Sequence, residues 1–150
     1  WNDFCDDYIE IVKERLYRPD MHGHTERRSA QRALYDSLLD ILKMYAIYVP
    51  HITEYIYQFF FRQHENEISL HLTRWGDTEG FDDDILEFGR QLKEAVSRAR
   101  RVKSARSLSM KAEIEELDIR TEAKYREYFI RSIPDLKACC RAKEIKLSII

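Results

Sequence analysis

Four stretches before residue 105 repeat apolar residues at the three-and-four spacing of an α-helix, and this pattern constrains the fold more than any other feature. Phe4, Tyr8, Val12 and Leu16, with Cys5 and Ile9 beside them, form the first stripe, which Arg18-Pro19-Asp20 and Gly23 end. Leu34, Leu38, Leu42, Tyr45 and Val49 mark a longer helix over about residues 29–49, with Thr25 or Ser29 as its cap. Pro50 breaks that rod, and ITEYIYQFFFRQ follows at once as a third helix with Ile52, Ile56, Phe59 and Phe60 predicted inward. Links this short favour antiparallel neighbours in a bundle. Asp82-Asp83-Asp84 opens the fourth helix, with Ile85, Leu92, Val96 and Ala99 on one side.

Between the third and fourth helices, SLHLTRW (69–75) alternates apolar and polar residues, which predicts an extended segment lying across the bundle; residues 76–80 read as a turn or linker. Beyond residue 112 the pattern changes. EELDIRT (115–121) and EIKLSII (144–150) are rich in β-branched and Leu residues, and EAKYREYFIRS between them is helical with Tyr125, Tyr128 and Phe129 as its apolar face. Pro134-Asp135 is predicted to begin a second short helical turn. The fold class that follows is mainly α: an antiparallel helical bundle followed by a small α+β module. Residues 1–80 form the bundle, 81–111 a basic helix and loop completing it, and 112–150 the module.

With 150 residues and 44% hydrophobic content the chain can close one sizeable core, or a core and a small satellite. Three cysteines, two of them adjacent, make neither a disulfide framework nor a zinc pattern, and are predicted to be reduced thiols. No apolar run reaches the roughly 18 residues of a membrane span, and no signal peptide opens the chain, so a soluble intracellular protein is expected. Because the first helix is already in phase at Trp1, the chain reads as part of a larger protein.

Charge is the strongest functional clue. The chain carries a formal net charge of −2, yet residues 90–111 hold eight Lys and Arg against the single acid Glu94. Part of this fits the helix dipole, with acids at one end of the fourth helix and bases at the other. The excess nevertheless spans five turns and runs into the following loop. Arg90, Lys93 and Arg101 face away from the apolar stripe, while Lys103 and Arg106 would return to the buried side, so the helix is predicted to end or bend near Ser104. Arg suits phosphate because its planar fork donates two parallel hydrogen bonds, and neutralised phosphates release counterions. A solvated face is the plainer alternative.

Other groupings point less far. His22-Gly23-His24-Thr25-Glu26 lacks a third ligand at fixed spacing and is read as a loop without metal. Asp3, Asp6, Asp7 and Glu10 are read as dipole partners in a first helical turn rather than catalytic carboxylates. Glycine-rich phosphate loops, nucleophile elbows and Cys/His constellations are all lacking from the sequence, so no active site is expected. Most of the sixteen Tyr and Phe residues fall on helix stripes as core, leaving Trp1, Tyr17 and Trp75 as exposed stacking candidates.

The order WNDFCDDYIEIVKERLY, long helix, YVPHITEYIYQ, SLHLTRWGD, then a helix ending in R-x-x-K-S before SLSMKAEIEELDI resembles the C-terminal region of valyl-tRNA synthetases over essentially the whole chain. The isoleucyl enzymes share the layout, but WNDFCDDYIE and the PHITEYIYQ and SLHLTRW pair are closer to the valyl type. This resemblance implies the anticodon-binding bundle of a class I synthetase, gripping the anticodon arm of valine tRNA. In such a parent a Rossmann-type catalytic domain joins valine to tRNA with ATP and magnesium, and an editing domain removes mischarged threonine. The fragment itself would hold no cofactor and no catalytic site; its partners would be valine tRNA and those domains of the same polypeptide, in a monomeric cytoplasmic enzyme.

His22-Gly23-His24 is not the family's HIGH motif, nor Lys103-Ser104-Ala105-Arg106-Ser107 its KMSKS loop. The family's R-x-x-K falls on Arg100 and Lys103, which carry the strongest site expectation; Arg98, Arg101, Arg106 and Lys111 join them on charge. Ser107 stands where many relatives have Gly. Earlier bundle helices that reach the anticodon would lie before Trp1, and the C-terminal coiled-coil arm of many bacterial enzymes would be lacking after Ile150, as in a shorter archaeal-type version or a truncated one. Two alternatives stay open: an isoleucyl-type fragment, and a helical protein-interaction module whose basic helix docks an acidic partner.

Overall fold

Two helix starts show how local chemistry sets the architecture. Asp82 caps α5 (Asp83–Ala105), its carboxylate accepting the N–H groups of Asp84 and Ile85 at 3.0 and 3.2 Å. Those are donors that no carbonyl reaches in a first turn. Pro50 stands at the start of α4 (Pro50–Phe60), where its missing N–H leaves nothing unpaired. The computed structural model describes residues 3–76, 80 and 82–150. Trp1 and residues 77–79 of the expected turn lie outside them.

In chain order, a wide π-helical stretch over Asp3–Tyr8 runs into α1 (Ile9–Tyr17), then comes a single turn, α2 (Pro19–His22), and the long α3 (His24–Tyr45). Gly23 separates α2 from α3 with φ of 101°, a conformation that L side chains avoid. After α4 and α5 come β1 (Ile114–Thr121), α6 (Arg126–Cys140) and β2 (Ala142–Ile149). The strands pair in parallel, Ile114 opposite Ala142 and Thr121 opposite Ile149. A parallel pair needs a crossover, and α6 supplies it.

The chain divides into two compact units, residues 1–27 with 80–150, and residues 28–79, with the boundary inside α3. This differs from the expected partition at residues 80 and 111. The apolar faces of α1 and α5 close on the strand–helix–strand segment, so Ile11, Val96, Ala99, Ile119, Phe129 and Leu136 share one core. Phe129 and Leu136 are fully buried; truncating such a Phe to Ala costs about 3–5 kcal/mol. Arg15 of α1 ties this core to α6 through Asp135, which is 1% exposed: Nε and Nη2 reach the two carboxylate oxygens at 2.7 and 2.5 Å.

In the second unit Leu39, Leu42 and Ala46 pack with Tyr57, Phe61 and Leu70. Glu54 organises the return of the chain, accepting hydrogen bonds from Ser69 Oγ and the Leu70 N–H, each at 2.9 Å. Tyr57 Oη donates to the Glu67 carbonyl at 2.7 Å.

Several expectations are corrected. The 69–75 segment is not extended throughout: Leu70–Leu72 form a 3₁₀ turn, because Ser69 accepts the His71 N–H and Glu54 fixes the turn's entry. On α4 the buried line is Thr53, Tyr57 and then Phe61, whereas Ile52, Phe59 and Phe60 are exposed. Helix α3 begins at His24, placing Thr25 and Ser29 inside it rather than at its cap, and ends at Tyr45. Its buried side is Ala30, Leu39 and Leu42; Leu38, Tyr45 and Val49 are exposed. Pro134 sits inside α6 instead of starting a new turn, and Ile85 on α5 is exposed.

Candidate nucleic-acid interface

Helix α5 stops within one residue of the expected place, and its stop orders the basic loop. The N–H of Ser107 bonds the carbonyl of Ser104 at 3.0 Å and that of Leu108 bonds the carbonyl of Lys103 at 2.9 Å. With Ser107 left-handed at φ 53°, this is the paired closure that usually employs glycine. Ser107 therefore makes this closure without a glycine.

The six expected phosphate contacts divide sharply. Arg106 and Lys111 are exposed and, among the described residues, have no acidic partner. Arg101 is 65% exposed and pairs with Glu94, a surface contact worth little in water. Arg98 is half-buried and donates to the Asp118 carbonyl at 2.9 Å. The two leading candidates are both held by the protein itself. Arg100 donates to Asp7 Oδ1 and to the Asp6 carbonyl, both at 3.0 Å. Lys103 is 3% exposed and its Nζ donates to the Met110 carbonyl at 2.9 Å. Arg100 and Lys103, which carry the strongest site expectation, are thus both engaged by the protein itself: helical phase places Lys103 on the core side, as its spacing predicts, and Asp7 draws Arg100 back to α1.

The acids read as dipole partners explain part of the charge pattern. Asp3 meets Lys93 at 2.6 Å and Asp7 meets Arg100 at 3.0 Å, so the N-terminal acids serve as counter-charges to α5. Lys93 beside it holds the Asp3 carboxyl below its ordinary range, both by hydrogen bonding and by charge. Lys103 has a different environment. Burial strips water from its ammonium and pushes its pKa down.

At the end of α6, Cys140 donates to the sulfur of Cys139, which lowers the Cys139 thiol, assisted by the positive field of Arg100. The same hydrogen bond and burial push Cys140 up. His22 reaches Asp135 with Nδ1 at 3.8 Å instead of forming a loop site. Among the described residues no group of three or more His, Cys, Asp or Glu side chains gathers where a metal could be held.

The aromatic expectation is also revised. Tyr17 and Trp75 are exposed as expected, but so are Tyr45, Tyr48, Tyr55, Phe59 and Phe60. Tyr55 and Phe59 stack with ring centroids 6.5 Å apart on the outer side of α4. Helix α4 is apolar nearly all round, so periodicity alone could not reveal this outer face.

A first unit in which a capped basic helix joins a parallel strand–helix–strand, and a second unit of packed helices, define a mainly helical class of domain with one small parallel sheet. The chain matches the family described as the anticodon-binding domain of tRNA ligase over residues 1–119, and it belongs to that family. It is 33% identical to the valine–tRNA ligase of Methanopyrus kandleri over 99% of the chain and 16% of that protein. The valine–tRNA ligase of Thermococcus kodakarensis is 35% identical over 83% of the chain and 14% of its own length. That of Anaplasma marginale is 30% identical over 99% and 17%. The chain thus spans about a sixth of the length of these relatives. No helix among the described residues is long and apolar enough to cross a membrane.

Proposed function

We propose that this chain grips the anticodon arm of a valine tRNA as part of a valine–tRNA ligase. The observation that carries the reading is the family match together with the exposed cations Arg106 and Lys111 on a loop held by the α5 closure. Arg101, whose partner Glu94 is equally solvent-exposed, can exchange that acid for a phosphate at small cost. Arg98 stands next to these. Phosphate contacts of this kind position an RNA without reading its sequence, and the exposed rings of α4 offer stacking faces for unpaired bases. The valine type is favoured over the isoleucyl type because the relatives above are all valine–tRNA ligases.

The parent enzyme would join valine to tRNA with ATP and magnesium in a separate catalytic domain, acting as a monomer in the cytoplasm. The described residues of this chain bring no acidic cluster together for magnesium. A helical module docking an acidic protein remains the competing reading. Filter-binding titration of valine tRNA across salt separates the two. An RNA contact loses affinity log-linearly with salt, and each of Arg106→Ala and Lys111→Ala removes about one unit from the slope. Salt-independent binding, or no binding, refutes the RNA reading.

A further inference from the structure

Lys103 poses a question that the exposed cations do not answer: a charged ammonium is 3% exposed, holds one carbonyl, and has no acidic partner among the described residues. Burying a charge without a counter-charge is costly. Beside it lies a cavity of about 420 Å³ lined by α1, the end of α5 and the end of α6. Arg100, Lys111 and Arg141 line the same cavity. Its two acids are already paired, Glu10 at 2.8 Å with Lys13, which also lines the cavity, and Glu14 at 3.5 Å with Arg18. Lys111 and Arg141 have no acidic partner among the described residues. Arg141 is held there by a left-handed backbone at φ 51°, the residue that ends α6.

We propose that this cavity is a phosphate socket, in which Lys103, Arg141 and Lys111 receive one phosphate of an RNA backbone while Arg100, anchored by Asp7, forms its wall. The inference rests on the tRNA reading for the source of the phosphate, but the excess of positive charge in the socket stands on the geometry alone. Three ammonium and guanidinium groups line one cavity in which a further anion would complete the pairing, and charge-assisted hydrogen bonds to phosphate are about twice as strong as neutral ones. A role for Lys103 thus reappears, as the floor of a pocket.

Cys139 lines the cavity and Cys5 does not, so alkylation of the intact chain by iodoacetamide reports occupancy, with Cys5 as internal reference. The probes are an RNA hairpin with the sequence of a valine tRNA anticodon arm and, separately, inorganic pyrophosphate at matched ionic strength. At ten times the dissociation constant about a tenth of the molecules remain open, so Cys139 labelling slows about tenfold relative to Cys5. The variants are Lys103→Met, similar in volume, and Arg141→Gly, which suits the left-handed backbone; circular dichroism checks that both fold. Protection by the hairpin that both variants abolish supports the socket. If the hairpin binds but Cys139 labels as before, the socket is overturned and the tRNA reading stands. Protection by pyrophosphate without hairpin binding overturns the RNA source and the tRNA reading, and leaves a free-anion site. No protection by either probe overturns the socket.

Discussion

Replacing Asp135 by Ala should destabilise the first unit more than any surface change. Asp135 is 1% exposed and accepts a two-point contact from Arg15, whose side chain is 25% exposed. Removing one partner of a buried pair costs about 3–5 kcal/mol, because the other charge stays behind without compensation. Since Arg15 keeps some contact with water, the lower end applies, about 3 kcal/mol. For a unit of about 100 residues each kcal/mol moves the melting temperature by about 4–8 °C, so the loss should be about 12 °C or more. Thermal unfolding followed by circular dichroism measures it. The double variant Arg15→Met with Asp135→Leu should recover much of the loss, since apolar groups of similar volume can replace a buried pair. A single-variant loss below about 1 kcal/mol, or a double variant no more stable than the single, would refute the view that this pair holds α1 on α6.

Ser107→Gly should raise stability by a few tenths of a kcal/mol, because relief of the left-handed strain of about 1 kcal/mol exceeds the added entropy of the unfolded chain; a rise in urea midpoint checks this. Glu54 is pushed up by burial, but donation from Gln58, Ser69 and the Leu70 N–H outweighs that and holds its carboxyl below the ordinary range. A depressed carboxyl contributes stability present above the unfolded value of about 4.3 and lost as pH falls through the folded value. Unfolding of the second unit should therefore steepen below about pH 4, and Glu54→Gln should flatten that dependence in melts taken across the range. Lys103→Met should leave stability unchanged or higher, since it removes a desolvated charge; a melting temperature more than about 5 °C lower would contradict this.

What the sequence revealed and what it hid follow from how local each signal is. The start of α5 at Asp82, the break at Pro50 and the strands around residues 115–121 and 144–150 were readable because caps, prolines and β-branched runs act on their own neighbourhood. The phase of α4 was not: with apolar residues on every side, the choice of Thr53 and Tyr57 over Ile52 and Phe59 depends on what α3 and Leu70 present. The SLHLTRW alternation lost to Ser69 capping and to Glu54, whose role appears only when residues 54 and 70 are brought together. Of the interface, the basic run and its end were visible. Its neutralisation was not, because Asp7 meets Arg100 across 93 residues and Asp3 meets Lys93 across 90. The shift of Lys103 to the core side was written in helical phase, but the cavity it borders needs α1 and α6 in place.

The central claim is that this basic end holds the anticodon arm of valine tRNA. Hydroxyl-radical footprinting of full-length valine tRNA with the chain bound tests it most directly. Protection should be confined to the backbone of the anticodon arm and should fade with Arg106→Ala and Lys111→Ala together. Protection centred on the acceptor stem, or an unprotected tRNA at saturating protein, would contradict it.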